Sequence, residues 1–248
     1  MNREAYNADF ISRQLDEIMK DIDKLIRAFP RNVNRFDVLS ISMFFTLIDI
    51  TTDINHLVKM KRYLSIPSLV RNFMDSYVDL ILVTSDSKNV YPLLYKVYSD
   101  GLKVLKAKRH SSMFNKDNDD LEMINRQITE KENKLKELSK LIGPNKLKTI
   151  RDKYERVNLL WFYETVYSDL CSQTHNRLDS IEHRHIEQKT KDKISIKYLQ
   201  LYNIEDFYKY ILTLLIYFNE AIGVVNRTLD LKCDILVEEI QEKIRGIV

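Results

Sequence analysis

Side chains able to do acid–base chemistry crowd one stretch of this chain. Between Tyr163 and His185, in YETVYSDLCSQTHNRLDSIEHRH, the second half gathers His175, Arg177, Asp179, Glu182, His183, Arg184 and His185 into about three helical turns. If a helix runs through it, His175, Asp179, Glu182 and His183 stand at offsets of zero, four, seven and eight and share one face. A carboxylate beside a histidine fixes one tautomer and makes the imidazole more basic, as acid–base work near neutral pH requires. A surface salt bridge has the same appearance. A second pair, Arg71 and Asp75, falls four apart on an otherwise apolar segment. An arginine there needs a carboxylate, so the expectation is a structural ion pair, with a phosphate-binding arginine held by Asp75 as the functional alternative. His183-x-His185 with Asp179 or Glu182 has spacing that would suit zinc, but no second ligand cluster accompanies it. Neither metal nor cofactor is expected.

Helices must position these groups. Phe10, Ile11, Leu15, Ile18, Met19, Ile22, Leu25 and Ile26 recur at three- and four-residue steps, predicting a first helix over residues 3–28 that Pro30 stops. A second, over 35–63, is so dense in apolar residues that it should lie centrally, with His56 at the edge of the core. Ser65 is placed to cap a third helix that tolerates Pro67 in its first turn and carries Arg71 and Asp75 towards Val83. A fourth spans about 90–108, followed by a polar loop over 110–120. Leu121, Ile124, Ile128, Lys131, Leu135, Leu138 and Ile142 then trace a heptad seam with one lysine defect, suited to dimerisation or to packing within the chain.

After Gly143-Pro144, a short helix from about Asn145 to Arg156 leads into the polar stretch. There Trp161, Phe162, Val166, Leu170 and Cys171 fit a buried side, and Tyr163, Tyr167 and Ser168 a displayed one. A polar break over 187–193 precedes Ile194, Ile196 and Tyr198, whose alternation suits a short extended segment. Helices over about 204–229 and 232–246 close the chain. The fold class expected is all-α, a multi-helix bundle of long antiparallel helices forming one domain over 1–248, with 110–150 as a protruding charged insertion.

Composition agrees. Four glycines and four prolines in 248 residues leave few turns, which excludes a fold of many short strands. The net charge of +3 is too small to argue for nucleic acid, but residues 101–160 hold 15 Lys and Arg against 9 Asp and Glu. Such a local excess attracts phosphate or is merely a solvated face. Cys171 and Cys233 lack metal-ligand spacing and read as buried free thiols. The N-terminal residues are polar and acidic rather than signal-like, and the longest apolar run, Ile211 to Phe218, is far short of a bilayer span. A soluble, cytoplasmic protein with no membrane partner is expected.

Two resemblances add to this reading. The Leu69-Val70-Arg71-Asn72-Phe73-Met74-Asp75 segment, a charged middle and Tyr167, Leu170, Cys171 and His175 resemble a largely uncharacterised bacterial family of helical proteins. That family combines an arginine with an acidic residue four later and a later Tyr-x-x-Leu-(Cys/Ser)-x-x-x-His. Arg177 followed by His183 is similar to the Arg-x(4 to 6)-His signature of the HEPN superfamily, all-helical proteins that include metal-independent ribonucleases of toxin–antitoxin and phage-defence systems. Leu178 follows the arginine where that superfamily commonly has a polar residue, and Asn176 precedes it. On one straight helix six residues turn through about 600° and rise about 9 Å, so Arg177 and His183 would diverge unless the helix breaks or two chains meet. The resemblance implies a homodimer with a composite site acting on RNA. His183 is then the acid–base candidate, Arg177 the phosphate stabiliser, and His175 with Arg71 orients substrate; Asp75, Tyr167 and Asn176 complete the substrate-binding set. An antitoxin or defence-system partner is implied. The competing expectation is a non-catalytic interaction module in which these groups are structural contacts.

Overall fold

The computed structural model describes residues 7–111, 118–143, 147, 149–175, 186–190, 193–196 and 202–248. Asn7 begins the first helix, α1 (Ala8–Arg27), by accepting the amide hydrogens of Asp9 and Phe10. Ile11, Leu15, Ile18, Ile22 and Leu25 form its fully buried stripe. An Asn34/Asp37 capping box starts α2 (Arg35–Lys59), whose chain then reverses through Lys61 at φ 55°. Ser65 leads into α3 (Ile66–Ser85) without the expected side-chain cap, because a 3-10 turn over Tyr63–Ser65 already holds it in helical backbone. There follow α4 (Val90–His110), α5 (Asn118–Ile142), α6 (Ile150–Arg156), α7 over residues 160–174, α8 (Tyr208–Thr228) and α9 (Asp234–Arg245).

The molecule is an all-α bundle, with a short two-stranded antiparallel pair among the described residues. Helices α2, α3 and α8 pack on one another, α1 and α9 close one side, and α6 and α7 lie along α3. At the centre, Phe218 of α8 stacks on Phe44 of α2 and meets Phe73 of α3 edge-on, each pair about 6.2 Å between ring centres. All three side chains are fully buried, a stabilisation of roughly 1.5–3 kcal/mol apiece. The 25-residue stretch Ile204–Thr228 is apolar enough by length and composition to cross a membrane, yet 61% of its most apolar window is buried within the bundle. One expectation for α2 changes: His56, expected at the edge of the core, is exposed while its neighbour Asn55 takes the buried place. Phe45 and Val38 of the same helix reach the surface, Phe45 stacking on Phe29 at 5.9 Å.

The heptad seam of α5 is covered by α4. Leu105 clusters with Ile124 and Ile128, while Tyr98, earlier in α4, meets Lys131, later in α5, so the two helices run antiparallel. Lys131, the defect in the seam, lays its ammonium over the Tyr98 ring at 5.1 Å, and its Nζ occupies the space a β-carbon would need at Gly101. The strand pair joins Ile186–Thr190 to Lys193–Ile196, antiparallel, with Ile186 opposite Ile196. Residues 187–190, expected as part of a polar break, therefore form a strand whose backbone pairs with residues 193–196.

Candidate functional site

Helix α3 sets Arg71, Asp75 and Asp79 on one face at four-residue steps. Opposite this face, α6 brings Lys153 and Tyr154, and α7 brings Tyr163, Tyr167, Cys171 and His175. The short α6 owes its place to a Thr149/Asp152 capping box, and it ends with Asn158 at φ 59° as the Leu159 amide bonds back to the Tyr154 carbonyl. Within α7, the residues Tyr163–Tyr167 form a π-helical turn. That extra residue per turn rotates the two halves of the helix against each other; Phe162 and Leu170 are buried and Ser168 exposed as expected, but two residues change sides. Tyr167, predicted on display, is 3% exposed, whereas Trp161, predicted buried, is 59% exposed. The helix stops at Thr174 with His175 as its C-terminal cap.

The resulting network runs from the interior to the surface. Tyr154 and Tyr167 donate their hydroxyls to the two oxygens of Asp75 at 3.4 and 3.2 Å. Arg71 Nε donates to the Tyr167 hydroxyl at 3.2 Å, and its guanidinium lies 5.5 Å from the centre of that ring. The expected Arg71–Asp75 ion pair is thus replaced by a relay in which Tyr167 stands between them. Arg71 Nη1 then lies 3.1 Å from His175 Nε2, where His175 is exposed. A guanidinium only donates, so His175 accepts at Nε2 and its ring hydrogen sits on Nδ1. Beneath this, Lys153 Nζ bonds both oxygens of Asp79 at 2.7 and 3.0 Å.

Burial dominates the electrostatics. It pushes the Asp75 carboxyl above the usual range, and the Tyr167 hydroxyl, Arg71 and Lys153 only partly offset it. Asp79 is raised for the same reason despite its lysine. Burial raises the phenols of Tyr154 and Tyr167 and the thiol of Cys171, which therefore stays protonated and a poor nucleophile. Arg71 is raised, first by its hydrogen bond to Tyr167. The corner can therefore present a permanent cation beside a neutral imidazole, with fixed phenols behind it. That combination suits capture of an oxyanion and transfer of a proton next to it.

The structure brings together four of the residues singled out in the sequence, namely Arg71, Asp75, Tyr167 and His175. Asn176, Arg177 and His183 lie outside the described residues, as do Asp179, Glu182 and His185 of the possible zinc set. Among the described residues no group of three or more His, Cys, Asp or Glu could hold a metal. Sequence reasoning missed Tyr154 and Asp79. Asp79 continues the four-residue step from Arg71 and was legible in principle; Tyr154 joins the site only because α6 folds back on α3.

Fold and site together define an all-helical protein with an arginine–histidine corner braced by a tyrosine–aspartate network. Residues 37–194 match the model of a family of unknown function, DUF5677, and the chain belongs to that family. The matched region spans all four gathered site residues and the α4–α5 pair, and it leaves α1, α8 and α9 outside. No curated protein and no solved structure matches the chain.

Proposed function

We propose that this protein is a metal-independent endoribonuclease related to the HEPN superfamily, working as a homodimer in a bacterial defence or toxin–antitoxin system. The observation that carries the reading is the contact between Arg71 and His175, 3.1 Å apart at the exposed end of a network that fixes the arginine from behind. A phosphodiester bound to the guanidinium would leave His175 Nε2 beside the ribose. The 2′-hydroxyl attacks phosphorus as its proton passes to Nε2, the bond to the 5′-oxygen breaks, and that oxygen takes a proton from water. The products are a 2′,3′-cyclic phosphate and a 5′-hydroxyl end. Arg71 stabilises the charge that builds on the phosphoryl oxygens. Arg177 and His183, named by the superfamily signature, would act in the same site.

The test is cleavage of labelled total RNA and tRNA in EDTA by purified protein, with every variant checked for retained helicity. Loss of about 100-fold or more in His175→Ala and Arg71→Gln is expected, in the range of a general acid–base group. Parallel losses in Arg177→Ala and His183→Ala support the superfamily relationship. Wild-type inactivity on both substrates, or activity that survives all four changes, overturns the reading. The second reading, an interaction module, draws on the α4–α5 pair. Val97, Val104, Met123 and Leu141 there are each more than half exposed.

A further inference from the structure

We infer that the Arg71–His175 contact is a self-occupied oxyanion site: an arriving phosphate displaces the imidazole from the guanidinium and frees His175 Nε2 to hold a proton. This rests on the reading of that corner as the phosphate-facing site, but not on RNA being cut there.

Arg71 Nε is committed to the Tyr167 hydroxyl and Nη1 to His175, while Nη2 has no partner among the described residues. Among the described residues, the two side chains that hydrogen-bond the guanidinium are neutral, since Tyr167 is a raised phenol and His175 must be unprotonated at Nε2 to accept. Asp75 is linked to Arg71 by hydrogen bonds through Tyr167. Among the described residues the cation is thus held in place without being neutralised by direct contact, and its outward acceptor, an exposed imidazole nitrogen, is far weaker than a phosphate oxygen. Phosphate can take the Nη1 and Nη2 donors as a pair, a geometry that a single imidazole nitrogen cannot fill. Once the guanidinium's hydrogen is withdrawn, Nε2 has an open lone pair facing an anion. It takes the proton of an attacking hydroxyl where the ligand carries one, and a proton from solvent where the ligand has none. Tyr167 and Asp75 act as positioning residues, keeping Nε fixed while the other two nitrogens change partner.

The experiment is nitrogen-15 NMR of the histidine side chains in the full-length protein. His175 is assigned by its loss in His175→Ala. Inorganic phosphate and a 2′-deoxy dinucleotide monophosphate, which lacks the attacking hydroxyl, are titrated separately. In the free protein His175 is expected as the Nδ1-protonated tautomer, and either ligand should convert Nε2 to a protonated nitrogen. A response to the dinucleotide alone identifies a phosphodiester site, and a response to phosphate alone a phosphomonoester or free-phosphate site. Arg71→Gln should abolish the response, and Arg71→Lys should weaken it at least several-fold because one ammonium cannot serve both partners. A protonated Nε2 in the free protein, or a His175 signal unmoved by both ligands, overturns the inference. Phosphate capture without RNA cleavage would remove the ribonuclease reading and leave this one standing; cleavage lost in His175→Ala with no response to either ligand would do the reverse.

Discussion

Asp75 is the residue on which the site's chemistry and its cost to the fold meet. Its two oxygens accept the hydroxyls of Tyr154 and Tyr167, and burial raises its carboxyl above the usual value of 3.8. A raised folded-state value means that the native protein binds the proton more tightly than the unfolded chain. The stability contributed by that proton is complete below 3.8 and is lost as pH rises through the folded value. Asp75→Asn removes this dependence while Asp79, shifted in the same direction, remains in both proteins. Urea denaturation from below 3.8 to neutrality should therefore show the variant gaining on the wild type as pH increases. A constant difference across the series would mean that Asp75 is not the strained group. At this scale the sequence was only half informative. The four-residue step from Arg71 to Asp75 was legible, but the phenol between them was not, because Tyr167 lies 92 positions beyond Asp75 and its direction depends on a π turn that no periodicity announces.

Among the elements, the α4–α5 pair shows how one awkward residue is accommodated. Lys131 interrupts an apolar seam, and its ammonium is received by the Tyr98 ring and by the space at Gly101. A single polar residue in such a seam sets register at a cost in stability. Lys131→Leu should raise the stability of the pair by about 1 kcal/mol, the order of one newly buried methylene. The readout is slower amide exchange along both helices, and faster exchange would show that the cation–π contact outweighs the burial. The periodicity of α5 was plain in the sequence. That α4 rather than a second chain packs against these seam residues was not, because a heptad pattern states only that a face must be covered. Likewise Asn158, at φ 59°, ends α6 at the point that leaves Tyr154 against α3, and nothing in its neighbourhood of the sequence points to Asp75.

At the scale of the whole molecule, the two ends of the chain are joined through one carboxylate. Asp21 of α1, 4% exposed, receives Lys24 and, from α9, Lys243, each at 2.6 Å. Burial pushes this carboxyl up, and the two lysines more than reverse it, so its folded value lies below 3.8. The sign is then opposite to that of Asp75: the contribution is present above 3.8 and disappears as pH falls through the folded value. Asp21→Asn should cost about 1–3 kcal/mol near neutrality, with the deficit shrinking in acid. A deficit that persists in acid would assign the effect to packing. Sequence alone determined that this chain is helical, roughly where its helices begin and end, and which stripes turn inward, since hydrogen bonding within a helix and burial of one face are local demands on spacing. Only the tertiary structure decided that Arg71, Asp75, Tyr154, Tyr167 and His175 form one network. Those contacts cross 79 to 104 positions, and their geometry depends on how α6 and α7 lie against α3, which side-chain spacing within any one helix does not encode.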